Sequence, residues 1–306
     1  MAQDSQPLEF RIGDPYERER VLRHCEQITA EDEQRRHEDR ELQATTAYLC
    51  LRLGDFYIRS GKIQRGIAEY KRAIKMDQNN ALFRTRLGDA YVLRDLIDQA
   101  MAQFRKAVQS DPKMPEPRIS LGDLYRRFGM NVQALEQYQV ATAAEPNRAY
   151  YHFKLADTLA AIDRPEEALG AMLVVIRQAP DNAFYRFRLG ALHLRLGQVE
   201  EAVAELAKAV QLAPFDDYYH VRYATASLAT GRIVESIDAF RTALDMDPRN
   251  RCYQVLLADA YAAAGLEENA AQMLDRAGEL DSYEIEFVGR RRLELNQAEM
   301  DAARSR

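Results

Sequence analysis

The sequence has no tryptophan, only three cysteines in 306 residues, and only 7 lysines against 35 arginines. Cys25, Cys50 and Cys252 form no CxxC pair and no spacing typical of a metal site or a disulfide framework, which favours a reducing compartment. No run approaches the roughly 18 apolar residues of a spanning helix, and the N-terminal residues carry acids where a secretory signal would carry Lys or Arg. The sequence therefore predicts a cytoplasmic protein without membrane insertion. The excess of arginine hints at a GC-rich bacterial genome.

Charge is unevenly distributed along the chain. The net charge is −6, of which residues 1–46 contribute −5, residues 47–284 contribute −2 and residues 285–306 contribute +1. The long middle segment is thus nearly neutral, and it lacks the basic stripe that nucleic-acid binding requires. No nucleic-acid partner is expected.

The length alone would suggest about two domains, but an internal repeat organises most of the chain. Leu-Gly-Asp recurs at Leu53, Leu87 and Leu121, and the same constant spacing continues to Leu257. Seven units of equal length follow without insertion, and they are numbered here as repeats 1 to 7: 47–80, 81–114, 115–148, 149–182, 183–216, 217–250 and 251–284.

Recurring residue types within the unit predict two packed antiparallel helices. Positions 8 and 20 hold only Gly, Ala or Ser in every repeat, as the close approach of two helices demands, whereas position 24 is bulky. Position 15 is Gly or Asp, residue types that tolerate the positive φ at a helix end. Position 32 is Pro in five repeats and ends the second helix.

This pattern resembles that of the tetratricopeptide repeat family. Repeat 2 matches it at these residues: Leu87, Gly88, Tyr91, Ala100, Phe104, Ala107 and Pro112. The resemblance implies an all-α, right-handed superhelical solenoid, in which the first helices line a concave groove that holds a peptide or a partner protein.

Position 4 departs from the family pattern, which has a large residue there. It is occupied by Cys50, Arg84, Arg118, His152, Arg186, His220 and Gln254. An aromatic residue stands one place earlier in five repeats, and we expect these rings to pack between repeats. The basic residues at position 4 are then either solvated or paired with the acid at position 31 of the preceding repeat, as in Asp77 with Arg84.

The two ends of the chain lie outside the repeat. Residues 1–46 form an acidic arm in which Asp14 and Pro15 predict a helix start, with an apolar stripe from Val21 to Ile28. The following polar stretch is either a solvated lead-in helix or a docking arm for another subunit. Residues 285–306 are expected to form a capping helix that covers the last repeat.

No catalytic, cofactor or metal site is predicted. The five histidines stand at repeat positions or apart from other ligands, which favours structural roles. The segment Gly54 to Lys62 has the wrong glycine spacing for a phosphate loop, and Ile63 occupies the place of its Ser or Thr. Carboxylates recur at fixed repeat positions, which is typical of a scaffold rather than of a unique catalytic pair. The chain is therefore predicted not to be an enzyme.

Partner-binding residues are predicted on the first helices, because positions 2, 6, 9 and 13 are spaced i+4, i+3 and i+4 and share one helical face. Asp at position 9 is expected to be accompanied by the basic residue at position 6 of the same repeat. An acidic or hydrophobic-acidic peptide is predicted to dock near Phe184, Phe187, Arg188, Tyr218 and Arg222. The full predicted set is Tyr48, Arg52, Asp55, Arg86, Asp89, Asp123, Arg127, Tyr150, Phe153, Lys154, Asp157, Phe184, Phe187, Arg188, Tyr218 and Arg222.

The function expected from these observations is that of a non-catalytic interaction scaffold or assembly factor. The carboxylate clamp that the family uses for chaperone tails requires Lys and Asn at set positions of three consecutive repeats, and this sequence does not supply them. Two alternatives stay open: a self-associating structural protein that docks through the N-terminal arm or the C-terminal helix, and an accessory subunit of an enzyme complex.

Overall fold

The computed structural model describes residues 15–278, with side chains described for residues 29, 30 and 32–278. Within this range every regular element is an α-helix. None of the helices in this range is long and apolar enough to cross a membrane. The boundary between two compact units falls between Pro112 and Lys113, and the two are called here the N-terminal and the C-terminal unit.

The N-terminal unit holds the first two repeats. Its four helices are α1 (Pro15–Arg59), α2 (Ile63–Met76), α3 (Ala81–Val92) and α4 (Ile97–Ser110). The C-terminal unit holds five further helix pairs. Its helices are α5 (Glu116–Arg127), α6 (Asn131–Ala144), α7 (Ala149–Ala161), α8 (Pro165–Gln178), α9 (Ala183–Arg195), α10 (Val199–Leu212), α11 (Asp217–Ala229), α12 (Ile233–Met246), α13 (Arg251–Ala263) and α14 (Glu267–Gly278).

Helix α1 begins at Pro15, as the sequence predicted, but it runs without a break into the first helix of repeat 1 and ends at Arg59. Side chains 32–45 are all exposed, and i,i+4 contacts join Gln34 to Glu38 at 3.1 Å and His37 to Glu41 at 3.6 Å. The arm and the repeat therefore share one helix across residues 46 and 47. The apolar stripe from Val21 to Ile28 and the capping helix at 285–306 lie outside the described side chains and residues.

The two helices of a repeat pack through a small residue against a large one. A Cβ built on Gly122 would lie 2.6 Å from Cε1 of Tyr138, and one built on Gly88 would lie 2.5 Å from Cε1 of Phe104. Both rings are fully buried. The small residues at position 8 thus make room for the bulky residues at position 24, as the sequence predicted.

The turn between the two helices of each repeat has a left-handed residue at position 15. All seven residues there have positive φ, from 56° at Asp95 and 60° at Asp163 to 76° at Gly231. The next amide then bonds back into the first helix, for example from Lys62 to the carbonyl of Tyr57 at 2.8 Å. This is the expected C-terminal cap of a helix followed by a glycine or a tolerated Asp.

In repeats 2, 4, 5, 6 and 7 the side chain at position 4 binds a backbone carbonyl group, an outcome that neither sequence interpretation foresaw. In the C-terminal unit, Arg186 donates from Nε to the carbonyl of Pro180 at 2.8 Å and pairs with Glu205 at 2.7 Å. His152 and His220 make the same contact with the Pro146 and Pro214 carbonyl groups, at 2.9 and 3.0 Å.

The predicted pair of Asp77 and Arg84 is replaced by the same arrangement in the N-terminal unit. Arg84 donates from Nε to the carbonyl of Gln78 at 3.0 Å, while Asp77 accepts from the amide of Asn79 and from the side chain of Asn80. These carbonyl groups lie in the loop that follows the second helix of the preceding repeat, and position 4 supplies their hydrogen-bond donor.

Aromatic residues at position 3 pack between repeats, as predicted. The ring of Tyr219 stacks on Phe187 of the preceding repeat, with centroids 4.9 Å apart, and Tyr185 contacts Phe153 at 5.3 Å. The start of several first helices is fixed by a side-chain cap, since Asp216 accepts from the amide of Tyr219 at 3.0 Å. These contacts set the spacing of the first helices, on which the candidate site lies.

Candidate functional site

In the N-terminal unit, three of the predicted residues of repeats 1 and 2 line a small cavity. The cavity has a volume of about 180 Å³ and is lined by Asp55, Ile58, Arg59, Tyr70, Arg86, Asp89, Ala90 and Leu93. The hydroxyl of Tyr70 donates to Oδ1 of Asp55 at 2.6 Å. Burial, and then this carboxylate acceptor, raises the pKa of Tyr70. The structure thus brings Asp55, Arg86 and Asp89 together.

Two further predicted residues of this unit lie on the surface of α1. Tyr48 is half exposed, and its ring meets Phe83 edge-on with centroids 5.3 Å apart. Arg52 is exposed one turn later. Both can contact a partner without any rearrangement of the helix pair.

In the C-terminal unit, position 9 holds three aspartates, of which Asp123 and Asp157 form ion pairs with the following repeat. Oδ1 of Asp123 accepts from Nζ of Lys154 at 2.9 Å and from the hydroxyl of Tyr138. Asp157 accepts from Arg188 of the following repeat in the same way. Position 9 of one repeat therefore pairs with position 6 of the next.

This arrangement differs from the sequence prediction, which paired positions 6 and 9 of the same repeat. Lys154 and Asp157 are spaced i,i+3 on α7, but the amine of Lys154 contacts Asp123 and the carboxylate of Asp157 contacts Arg126 and Arg188. The physical reason is that neighbouring first helices lie side by side, so a carboxylate at position 9 faces the next helix rather than its own. The charges of the face are thus tied across repeats.

Asp157 holds two guanidinium groups and leaves an excess of positive charge. Arg126 binds its Oδ2 and Arg188 binds its Oδ1. Burial lowers the pKa of Arg188, and the neighbouring Arg126 cation lowers it further. The guanidinium carbon of Arg188 also lies 5.7 Å from the ring centre of Phe153.

Aromatic rings at position 2 stand on the same face. Tyr150, Phe184 and Tyr218 are 46%, 43% and 43% exposed. Rings at position 5 of the preceding repeat support two of them, since Phe153 lies 5.3 Å from Phe184 and Phe187 lies 5.4 Å from Tyr218. Phe184 and Tyr218 are therefore held on one side by these contacts, while all three rings at position 2 keep an exposed side.

A second cavity of about 180 Å³ lies between repeats 4 and 5 of the C-terminal unit. Its lining residues are Phe153, Ala156, Asp157, Ala160, Met172, Arg188, Ala191, Leu192 and Arg195. Most of these repeat positions also line the cavity of the N-terminal unit. The cavity is thus a recurring feature of the first-helix face, and its walls change from Asp89 in repeat 2 to Ala191 in repeat 5.

The remaining predicted residues differ in their surroundings. Arg127 is exposed at the end of α5, whereas its neighbour Arg126, which sequence reasoning missed, binds Asp157. Position 12 is three residues after position 9 on the same helical face, and that spacing could have identified Arg126. Arg222 is half-buried on α11, four residues after Tyr218.

Comparisons with known proteins identify the repeat. Two family models, both described as Tetratricopeptide repeat, match residues 51–115 and 221–284 in one case and 95–157 in the other, which together exceed half of the chain. A model described as Bacterial transcriptional activator domain matches residues 182–249. No curated protein sequence matches the chain.

Three solved structures of similar fold have low sequence identity to this chain. The Pseudomonas aeruginosa pilF structure matches with a TM-score of 0.62 and 14% identity over 71% of this chain and 99% of its own. YrrB, described as a TPR protein with an unusual peptide-binding site, matches with a TM-score of 0.55 and 16% identity over 63% of this chain and 97% of its own.

MamA from Desulfovibrio magneticus RS-1 has a TM-score of 0.51 and 21% identity, over 54% of this chain and 94% of its own. These identities are low, so the three structures bear on the fold alone. The family models, the constant repeat period and the helix pairs agree with one another. The chain therefore belongs to the tetratricopeptide repeat family.

Proposed function

We propose that the protein is a non-catalytic interaction scaffold and that it binds an extended peptide segment of a partner on the first helices of repeats 4 to 6. The observation that carries this proposal is the row of half-exposed rings at Tyr150, Phe184 and Tyr218. They recur at one repeat position and lie beside the cationic cluster around Asp157.

Such a face suits binding because aromatic and Arg side chains dominate the energetics of protein interfaces. Phe184 and Tyr218 are held by Phe153 and Phe187, so these two rings lose little conformational entropy when a peptide covers them. Burying their remaining apolar surface contributes roughly 25 cal/mol per Å². A peptide that covers the three rings in turn therefore gains from each of them.

The carboxylates of the face favour a structural role over a catalytic one. Asp123 and Asp157 each form ion pairs with cations of neighbouring helices, so their carboxylate oxygens already have partners within the chain. They position cations and join repeats. YrrB offers a precedent for a peptide site on this fold.

Selection from a random peptide library on the immobilised full chain tests this proposal. We expect the selected peptides to bind at least about tenfold more weakly when Phe184 and Tyr218 are both changed to Ala. The matched control is Leu173→Ala, because Leu173 is equally exposed at 48% but lies on the second helix of repeat 4.

Two results would overturn the proposal: no peptide is selected, or the selected peptides bind equally well to the Phe184→Ala plus Tyr218→Ala variant. Loss of binding in the Leu173→Ala control would place the site on another face. Circular dichroism of each variant checks that the helices are retained.

A second candidate function, self-association, is favoured by an apolar stripe on α1. Leu42, Leu49 and Phe56 are 67%, 59% and 61% exposed. The residues of repeat 2 equivalent to Leu49 and Phe56 are Phe83 and Ala90, which are 0% and 1% exposed. In repeat 2 these positions pack against the preceding repeat, so in repeat 1 they present a face that a helix of a second copy would fit.

Light scattering coupled to size-exclusion chromatography tests this candidate. If the stripe mediates self-association, the wild type forms dimers or larger species at high concentration, and Leu49→Glu plus Phe56→Glu yields a monomer. Leu173→Glu serves as the control for an added surface charge. A wild-type chain that stays monomeric at all concentrations would dismiss self-association.

We place this function in the cytoplasm. Cys50 is a buried free thiol, and a reducing compartment keeps such a thiol reduced. Burial raises the pKa of Cys50, which lowers its thiolate fraction and its reactivity.

A further inference from the structure

We propose that Arg222 is the receptor for an acidic side chain of the partner peptide, and that an apolar side chain beside that acid covers Tyr218. The proposal rests on the peptide-binding function above and specifies the chemistry of its ligand. It concerns repeats 5 and 6, where Ala191 and Thr225 interrupt the row of aspartates at position 9.

The first step is the register of the ion pairs in the C-terminal unit. Asp123 pairs with Lys154 and Asp157 pairs with Arg188, in both cases from position 9 of one repeat to position 6 of the next. The same register places position 9 of repeat 5 opposite Arg222. That residue is Ala191, so the chain supplies a cation without the carboxylate that the two preceding repeats provide.

The second step is the state of Arg222 itself. Among the residues that the structure describes, no ion pair or hydrogen bond of its side chain is found, and the side chain is half-buried. A guanidinium in this position has lost part of its hydration without gaining a partner. A carboxylate from outside would restore the missing ion pair, and Arg can bind it through two parallel hydrogen bonds.

The charge of the neighbourhood favours the same ligand. Lys154, Arg126 and Arg188 share two carboxylates, and Arg222 adds a further positive charge. This face is therefore cationic, although the whole chain has a net charge of −6. An acidic segment is drawn to this face in preference to the rest of the surface.

The rings define the second element of the ligand. Tyr218 lies four residues before Arg222 on α11, so both side chains stand on the same side of the helix. Its ring is 43% exposed and rests on Phe187 at 5.4 Å. A peptide that places a carboxylate on Arg222 therefore brings an adjacent apolar side chain onto Tyr218. A nucleic acid would need a longer run of cations than this face offers.

The substitution Ala191→Asp provides the sharpest test, because it supplies the missing carboxylate within the chain and leaves Arg222 in place. Peptides are selected from the random library on the full-length wild type and are then measured on Ala191→Asp. We expect the wild type to select peptides with Asp or Glu next to an aromatic or aliphatic residue. We expect Ala191→Asp to bind them at least about tenfold more weakly.

The matched control is Ala161→Asp, which adds the same charge at an exposed position at the end of α7 and should leave binding within about twofold of the wild type. Charge reversal by Arg222→Glu should shift the selection toward Lys or Arg. Circular dichroism checks that each variant keeps its helices.

Each contrary result overturns the inference. These results are selected peptides without an acidic preference, an acidic preference that survives in Ala191→Asp, or equal loss of binding in Ala161→Asp. Binding of a labelled single-stranded oligonucleotide that is lost in Ala191→Asp would assign Arg222 to a nucleic acid instead. If peptides depend on Tyr218 but show no acidic preference, only this inference fails. If none depends on Phe184 or Tyr218, the proposed function fails as well.

Discussion

The substitution Gly122→Ala tests whether the contact of small and large residues holds a repeat together. A Cβ at position 122 would lie 2.6, 2.9 and 3.0 Å from three ring carbons of Tyr138, whereas carbon atoms pack comfortably at about 3.5–4.0 Å. The ring is fully buried, and its hydroxyl is held by Asp123. The ring therefore cannot swing aside, and α5 and α6 must move apart.

Two opposing effects decide the sign of the change in stability. Replacing Gly by Ala within a helix gains about 1 kcal/mol of helix propensity. Overpacking a close-packed site costs about 1–3 kcal/mol. We therefore expect Gly122→Ala to leave the free energy of unfolding unchanged at best and to lower it by up to about 2 kcal/mol.

Gly170→Ala is the matched control, because Gly170 lies within α8 and no atom lies within 4 Å of its added Cβ. This variant should gain the propensity alone, about 1 kcal/mol. Urea unfolding followed by circular dichroism measures both variants. Hydrogen exchange of the α5 and α6 amides then localises the effect, since repeat arrays do not always unfold in two states.

Equal stabilisation by Gly122→Ala and Gly170→Ala would refute the reasoning, because the ring contact would then cost nothing. A second variant keeps the test sharp. In Tyr138→Met, which copies repeat 4, where Ala156 at position 8 packs in one cluster with Met172 at position 24, the penalty of adding Ala at 122 should fall by about 1–2 kcal/mol as the bulky ring is removed.

Three further predictions concern other contacts of the repeats. Arg186→Ala should lower the free energy of unfolding by about 1–3 kcal/mol, because the Pro180 carbonyl loses its side-chain donor and Glu205 keeps only Lys208. Arg186→His should recover part of this loss in urea unfolding, because the histidines of repeats 4 and 6 bind the equivalent carbonyl, and equal losses in the two variants would contradict this reasoning. Burial raises the pKa of Glu205, but Lys208 and Arg186 outweigh it and hold the pKa below its ordinary value of 4.5. The stabilisation is therefore present above that value and is lost as the pH falls through the folded pKa, so unfolding measured from pH 7 to acid should show a shallower decline for Glu205→Gln, and identical profiles would exclude this role. Gly231→Ala should cost about 1–2 kcal/mol in the same assay, since φ is 76° and the added Cβ meets no atom within 4 Å, which leaves backbone strain as the cause; no change in stability would refute it.

The helix pairs could be predicted from the sequence because their determinants are local and recur in every repeat. A glycine at position 8 predicts a large residue at position 24 of the same repeat, as the contact of Gly122 with Tyr138 shows. The left-handed turn at Asp95 and Asp163 could likewise be inferred from the residues that share their position. Each of these residue types is a weak predictor in a single repeat, but its recurrence at one position of seven repeats makes the prediction strong.

The partners of the charged residues could not be predicted in the same way. In the sequence, the carboxylate nearest to Lys154 on the same helical face is that of Asp157, three residues later. In the structure the amine of Lys154 pairs with Asp123 on the neighbouring helix instead. Which carboxylate it reaches depends on the lateral offset of the two helices. Arg186 binds a backbone carbonyl. Because every residue has a backbone carbonyl, the sequence does not indicate which one will accept the bond.

The uninterrupted helix α1 joins the arm to the first repeat without a loop between them. At a rise of about 1.5 Å per residue, residues 15–46 extend about 48 Å, and 3.6 residues complete a turn. Inserting one residue among the exposed residues 32–45 would rotate the start of the helix relative to the first repeat by about 100°, whereas inserting seven would almost restore its direction. The helix therefore fixes an angle as well as a distance, and any partner held at its beginning would face the repeats in one rotational phase.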